Sequence, residues 1–267
     1  MRGNLHNHSL CSDGIKSVLE LNNMAIKNNI DVLAITDHDT IEQYYEIEKI
    51  KSNVKLITGV EMKCKYNDES IHILGYFNSK PSEEAFNFFN DLKIKRDIRC
   101  KKMIENLKNI FNIDISYDEV KKLANGAIGR PHIARVISNK YNISFNDAFD
   151  KYINNDSPAY VMETNLSVDD VFNFLRKNNA LIVMAHPIQI KKSDFRELLK
   201  YGFDGIEAFH PDQDEDYSNM IKDIAKEYNL FITGGDDYHG DSHNGVFGEY
   251  YIEGNDLDIF LDRLDRL

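Results

Sequence analysis

Tryptophan is absent from this 267-residue chain, proline occurs five times and cysteine only three times. Cys11, Cys64 and Cys100 are odd in number and form no CxxC pair, which argues against a disulfide framework and a zinc ribbon. No apolar run approaches the roughly 20 residues that span a bilayer. Met1 to Leu10 carries polar and histidine residues where a signal peptide needs an apolar stretch, so a cytoplasmic chain with no membrane association is expected. Basic residues are also scarce, 32 Lys and Arg against 44 Asp and Glu, for a formal charge of -12. That balance disfavours a long grip on nucleic-acid backbone, which comes from neutralising phosphates. It leaves room for a small phosphate ester, because bound dications or one local basic patch reverse the field inside a pocket.

What is present is a series of short Val, Ile and Leu runs. They are Asp31 to Thr36, Lys55 to Val60, Ile71 to Phe77, Ala180 to Ala185, Gly205 to Phe209 and Leu230 to Thr233, with Asn4 and Leu5 ending a first strand. Continuous apolar runs of this length read as buried parallel strands. Amphipathic helices alternate with them, such as Ser17 to Asn28 with Val18, Leu21, Ala25 and Ile26 at helical spacing. The alternation predicts a parallel barrel or a doubly wound sheet. From about Ser82 to Asp170 no strand is evident, and this stretch is expected to be a helical insertion.

Most of the nine histidines stand at a predicted strand end, the edge where parallel α/β folds build their sites. His6 and His8 follow the first strand, His38 the second, Glu61 ends the third and His72 lies in the fourth. His186 closes ALIVMA, and Asp236 and His239 follow the last strand in GGDDYHG. Singly, each reads as a hydrogen-bonded strand-end residue; together they crowd one rim with ionisable groups whose desolvation needs compensation. Bound cations supply it, and imidazole with carboxylate suits manganese, iron and zinc. Residues two apart in extended chain share a face, so His6 and His8 can reach one ion.

HxH followed by SDG, TDHD, GVE, IHILGY, AHP and DxH, in that order, resembles the PHP family, named for polymerase and histidinol phosphatase. The resemblance spans nearly the whole chain and implies a metal-dependent phosphoesterase on a distorted (β/α)7 barrel. The barrel is expected over residues 1–95 and 171–267, with a helical lid subdomain inserted at 96–170. It implies two or three divalent ions (Mn, Fe or Zn). One is held by His6, His8, Glu61 and Asp236, a second by Asp13, His38 and His239, and a third by His72 and His186 with Glu61 bridging. Asp13 stands where histidinol phosphatases have histidine, which disfavours histidinol phosphate as substrate.

The segment Gly129 to Val136 (GRPHIARV), with Tyr160 and His210, resembles the subgroup of nucleoside 3',5'-bisphosphate phosphatases and 5'-3' exoribonucleases. Arg130, His132, Arg99 and Tyr160 are the implied substrate-binding residues, and His210 or Asp37 is a candidate proton donor. Blander readings stay open: Arg130 as a capping arginine beside Pro131, His132 as a residue stacked beneath the lid, and Lys93 to Lys102 as a solvated helix face. The expected partner is a small phosphorylated substrate, a nucleotide first and a short oligonucleotide second, with no stable protein partner.

Overall fold

The chain folds around one eight-stranded sheet in a computed structural model that describes residues 1–124, 126, 128–162, 166–240 and 246–267. The strands are β1 (Arg2–Asn4), β2 (Val32–Ile35), β3 (Lys55–Tyr66), β4 (Glu69–Phe77), β5 (Ala180–Met184), β6 (Gly205–Phe209), β7 (Phe231–Gly234) and β8 (Ile252–Glu253). Their order is β7-β6-β5-β4-β3-β2-β1-β8. Just past β1, the N–H of Leu5 donates to the Gly234 carbonyl at 2.9 Å. A parallel bridge then joins Asn7 to Tyr238. The sheet therefore closes almost into a barrel, the expected distorted β/α architecture, with β8 added antiparallel on β1.

The expectation of parallel strands fails at β4, which runs antiparallel to both β3 and β5. Tyr66 and Glu69 are paired across the two intervening residues, and Asn67 takes φ 51, a left-handed conformation that asparagine tolerates. The reversal matters for the site. His72 pairs with Lys63 near the far end of β3, so the N-terminal half of β4 reaches the rim where the parallel strands finish.

The inner strands are apolar on both faces, which is why they show no alternation. Val32 and Ala34 turn into one core with Leu181, Val183 and Tyr76, while Leu33 and Ile35 pack under α1. Helix α1 (Val18–Lys27) opens on Ser17, whose side chain forms a reciprocal capping box with Glu20. Val18, Leu21 and Ala25 are buried as the spacing predicts; Ile26 is 54% exposed and Asn22 takes the inward place. The short α2 (Tyr44–Ile47) follows β2.

Helix α3 (Glu83–Phe111) carries the chain from one core to another. Ala85, Phe89 and Leu92 pack against the barrel, whereas Cys100, Met103 and Leu107 belong to a second core. That core is completed by α4 (Tyr117–Leu123), α5 (Arg130–Tyr141) and α6 (Phe145–Tyr152), through Val120, Ile133, Ile137 and Ala148. Ala159 is in the second core and Val168, opening α7 (Val168–Lys177), is back in the first. Helices α8 (Phe195–Leu198) and α9 (Glu215–Glu227) flank the later strands, and Leu257, Phe260 and Leu264 of α10 (Asn255–Asp265) join the inner core. No helix among the described residues is long and apolar enough to cross a membrane.

Candidate metal centre

The chain beyond β1 stays extended because it is stitched to the chain beyond β7. The N–H of Asp237 donates to the His6 carbonyl at 2.9 Å and the N–H of His8 to the Tyr238 carbonyl at 3.0 Å. Asn7 turns the other way, donating to Asn4 Oδ1 at 2.8 Å. His6 and His8 thus share a face, with ring centroids 5.3 Å apart. Gly235 permits this closeness: a Cβ there would lie 2.3 Å from the His6 backbone nitrogen.

Glu61 sits at the middle of the cluster, 1% exposed. Its Oε2 lies 3.3 Å from His6 Nε2, 3.2 Å from His8 Nε2 and 3.0 Å from His38 Nδ1. Its Oε1 faces the other way, 2.6 Å from His72 Nδ1 and 2.9 Å from His186 Nε2. One carboxylate therefore serves two groups of imidazoles. Asp13 stands on the opposite flank, Oδ1 3.3 Å from His239 Nε2 and Oδ2 3.9 Å from His38 Nε2. The His8 and His239 rings stack at 3.9 Å.

Eight of the nine expected ligands meet here, and Asp236 does not. Its carboxylate accepts the Asn4 side-chain amide and the backbone N–H groups of Gly248, Glu249 and Tyr250. Its neighbour Asp237 occupies the place instead, with Oδ1 3.4 Å from His6 Nε2 and 3.0 Å from His8 Nε2. Asp237 is held at φ 46, and that turn swings one of two adjacent aspartates inward. His186 at φ 21 and Asp39 at φ 48 are the other non-asparagine side chains with positive φ among the described residues. All three border the cluster, and such conformations cost roughly 1–3 kcal/mol each and persist only where the surroundings impose them.

Whether these residues suit metal ions is tested by their hydrogen bonding. His6 Nε2, both His8 ring nitrogens, Asp13 Oδ1, Glu61 Oε2 and Asp237 Oδ1 are buried without a hydrogen-bond partner. Buried polar atoms left unmatched are expensive, and six in one cluster would be satisfied together by cations. Three sets of donor atoms, each within 4.8 Å of one another, meet the requirement: His8, Asp13, His38 and His239; His6, His8, Glu61 and Asp237; His38, Glu61 and His72. Burial works to raise the carboxyls of Asp13, Glu61 and Asp237, but the surrounding imidazoles override it and hold all three well below the carboxylate range. The same carboxylates override burial at His8, pushing it up to about 10, whereas burial wins at His38, pushed down to about 3.

Glu207 was not singled out in the sequence, although a charge in the middle of the apolar run GIEAF is a signal that a buried partner exists. It is fully buried; Oε1 lies 3.0 Å from His6 Nδ1 and Oε2 accepts the His186 N–H at 2.8 Å. A register irregularity between Glu207 and Phe209 marks this end of β6.

The two proton-donor candidates stand behind the site. Asp37 accepts from the Ser9 N–H, the Ser9 hydroxyl and the Ser12 hydroxyl at 2.7, 2.6 and 2.5 Å. His210 is buried, with Nδ1 accepting the Asp212 N–H at 3.1 Å, so its Nε2 carries the hydrogen toward Asp237 Oδ2, 3.3 Å away. Neither lines the cavity above the cluster.

That cavity, about 430 Å3, joins Asp13, His38, Glu61, His72 and His239 to Arg96, Arg99, Arg130 and Arg135. Arg96 is paired with Asp39, the residue after His38. Arg99 Nε donates to the Val161 carbonyl at 2.7 Å, and Arg130 to Asn155 Oδ1 at 2.8 Å and the Ile153 carbonyl at 3.2 Å. Tyr160 lies between the last two, its ring centroid 5.3 Å from Arg99 Cζ and 5.4 Å from Arg130 Cζ. It steadies the arginines and does not itself line the cavity. His132 does not line the cavity; its Nδ1 accepts the Gly129 N–H at 3.0 Å at the start of α5. Burial pushes its imidazole down. Arg135 joins the wall without having been expected there.

A nearly closed β/α barrel with this cluster beneath an arginine-lined cavity defines a metal-dependent phosphoesterase, a hydrolase of phosphoric esters. The chain belongs to the PHP family, whose PHP domain profile matches residues 4–233. It is 31% identical over 245 residues to a 5'-3' exoribonuclease of Haemophilus influenzae, covering 88% of this chain and 89% of that one. It is 24% identical over 256 residues to a 3',5'-nucleoside bisphosphate phosphatase of Chromobacterium violaceum, covering 90% and 88%. A solved structure from Bifidobacterium adolescentis, described as a candidate metal-dependent phosphoesterase, superposes with a TM-score of 0.86 at 27% identity, over 97% of this chain and 95% of that one.

Proposed function

We propose that this enzyme hydrolyses the phosphoester on the 3' side of a 5'-phosphorylated nucleotide, with a nucleoside 3',5'-bisphosphate as the smallest complete substrate. The observation that carries this reading is the single cavity shared by the imidazole–carboxylate cluster and four arginines. A substrate filling it carries negative charge in two places, one at the reacting phosphoryl group and one beneath the lid. The volume lies within the roughly 300–1,000 Å3 usual for small-molecule sites.

His6, His8, Glu61 and Asp237 would hold one divalent ion, Asp13, His38 and His239 a second beside His8, and His72 and His186 a third, with Glu61 shared. Ions so held lower the pKa of coordinated water and stabilise charge on phosphoryl oxygens. The chain's own part is orientation. Glu207 holds His6 in one tautomer, His210 holds Asp237, and Asp39 ties the guanidinium of Arg96 to the His38 loop. Arg99 and Arg130, each anchored to a backbone carbonyl, present guanidinium groups suited to a non-reacting phosphate. Binding energy at that remote phosphate positions the scissile one.

A second reading, a short 5'-phosphorylated RNA hydrolysed at the same bond, is favoured by the 31% identity to the Haemophilus influenzae exoribonuclease. Manganese-loaded protein is assayed on adenosine 3',5'-bisphosphate and on a labelled 5'-phosphorylated oligoribonucleotide. Phosphate release from the first supports the leading reading, and nucleoside 5'-monophosphates from the second support the alternative. Turnover of histidinol phosphate with neither nucleotide substrate attacked would sink both.

A further inference from the structure

The cavity is also walled by α6, which carries two parallel stripes along it. Phe145 and Phe149, four residues apart, form one; Asn146 and Asp150, also four apart, form the other. Both phenylalanines pack on the second core and also border the cavity, with ring centroids 6.2 Å apart and planes 34° from parallel. Guanidinium groups lie over both rings, Arg135 Cζ 5.8 Å from the Phe145 centroid and Arg130 Cζ 5.2 Å from that of Phe149. An anion alone needs no such wall.

We infer that α6 is a nucleobase subsite: the base stacks on the Phe145–Phe149 and Arg135 surface, and Asn146 and Asp150 hydrogen-bond its edge. Aromatic rings and guanidinium planes are the groups on which unpaired bases stack. Amide and carboxylate side chains are the groups that read base edges. One cavity joins the cluster, Arg96 and Arg99 and this aromatic wall, the three surfaces that a nucleotide with a reacting phosphate, a second phosphate and a base requires. This inference rests on the nucleotide reading above.

The test compares kcat/KM for adenosine 3',5'-bisphosphate with that for 1-deoxyribose 3,5-bisphosphate, which lacks a base. Wild type is expected to prefer the nucleotide by about tenfold or more, the range of a single stacked base. Phe149→Leu and Phe145→Leu, which keep an apolar side chain on the second core, are expected to bring the ratio near one. The ratio is insensitive to loss of folded protein, since that lowers both rates equally. Equal use of the two compounds by wild type, or an unchanged ratio in both variants, overturns the base subsite while the phosphoesterase reading stands. Failure of wild type on both compounds overturns the nucleotide reading and this inference with it.

Discussion

Nδ1 of His6 lies 3.0 Å from Glu207 Oε1, both groups fully buried, and this contact decides which nitrogen of His6 faces the cluster. An anionic acceptor keeps the hydrogen on Nδ1 and leaves the Nε2 lone pair directed at Glu61 and Asp237, 3.3 and 3.4 Å away. The other oxygen of Glu207 holds the His186 backbone at 2.8 Å. Loss of such a supporting carboxylate typically weakens metal binding about 10–100-fold. Glu207→Ala is expected to show that loss in Mn2+ binding followed by electron paramagnetic resonance, and Glu207→Gln, which retains an acceptor oxygen, a smaller one. Unchanged affinity in Glu207→Ala would remove the positioning role.

The adjacent aspartates should separate cleanly. Asp237→Ala is expected to release bound metal and lower kcat at least 100-fold, as elemental content and phosphate release would record. Asp236→Ala should keep the metal but destabilise the fold by about 2 kcal/mol, because three backbone N–H groups lose their acceptor. Metal loss in the Asp236 variant with metal retained in the Asp237 variant would reverse the assignment.

Arg130→Ala is expected to raise KM for a nucleoside 3',5'-bisphosphate about tenfold, equivalent to about 1.4 kcal/mol, and to alter kcat less. Steady-state kinetics on the folded variant decide it. A KM equal to that of wild type would mean that the Asn155 and Ile153 contacts of Arg130 serve the second core alone.

Glu119 offers a test in pH. It accepts the Ser116 N–H at 2.6 Å and Lys140 Nζ at 3.0 Å, and these bonds hold its carboxyl down at about 2. Because the folded value lies below the unfolded one, the stabilisation is complete above the ordinary glutamate range and is lost as pH falls toward about 2. Solvent screening limits it to roughly 1 kcal/mol or less, since the side chain is 40% exposed. Thermal unfolding of Glu119→Gln should therefore fall below wild type at pH 7 and converge with it near pH 2. A gap that persists at low pH would point to packing instead.

Much of the site was written along the chain. The runs around Val32, Ile182 and Ile206 are legible as strands because both their faces are buried, which erases alternation. His6, His8, Glu61 and His186 are legible because polar groups at strand ends of a parallel fold converge on one rim. The reversal of β4 was not legible, since an apolar run reads the same in either direction; only Asn67 and its neighbour signalled a turn. Arg135 was not legible as cavity lining, because only the packing of α6 beside α5 sets its guanidinium over Phe145 on the cavity wall.

The sequence by itself determined the ligand chemistry, the alternation of elements and their family, because those depend on residue type and order. The tertiary structure placed Asp237 and not Asp236 in the cluster, as the DxH spacing to His239 also requires, and it alone decided that Glu207 stands behind His6 and that His132 and Asp37 do not line the cavity. The choice of aspartate turns on backbone direction at a single residue, φ 46 at Asp237. That direction is imposed by long-range pairing, here the Asp237 N–H to the His6 carbonyl 231 positions earlier, at 2.9 Å.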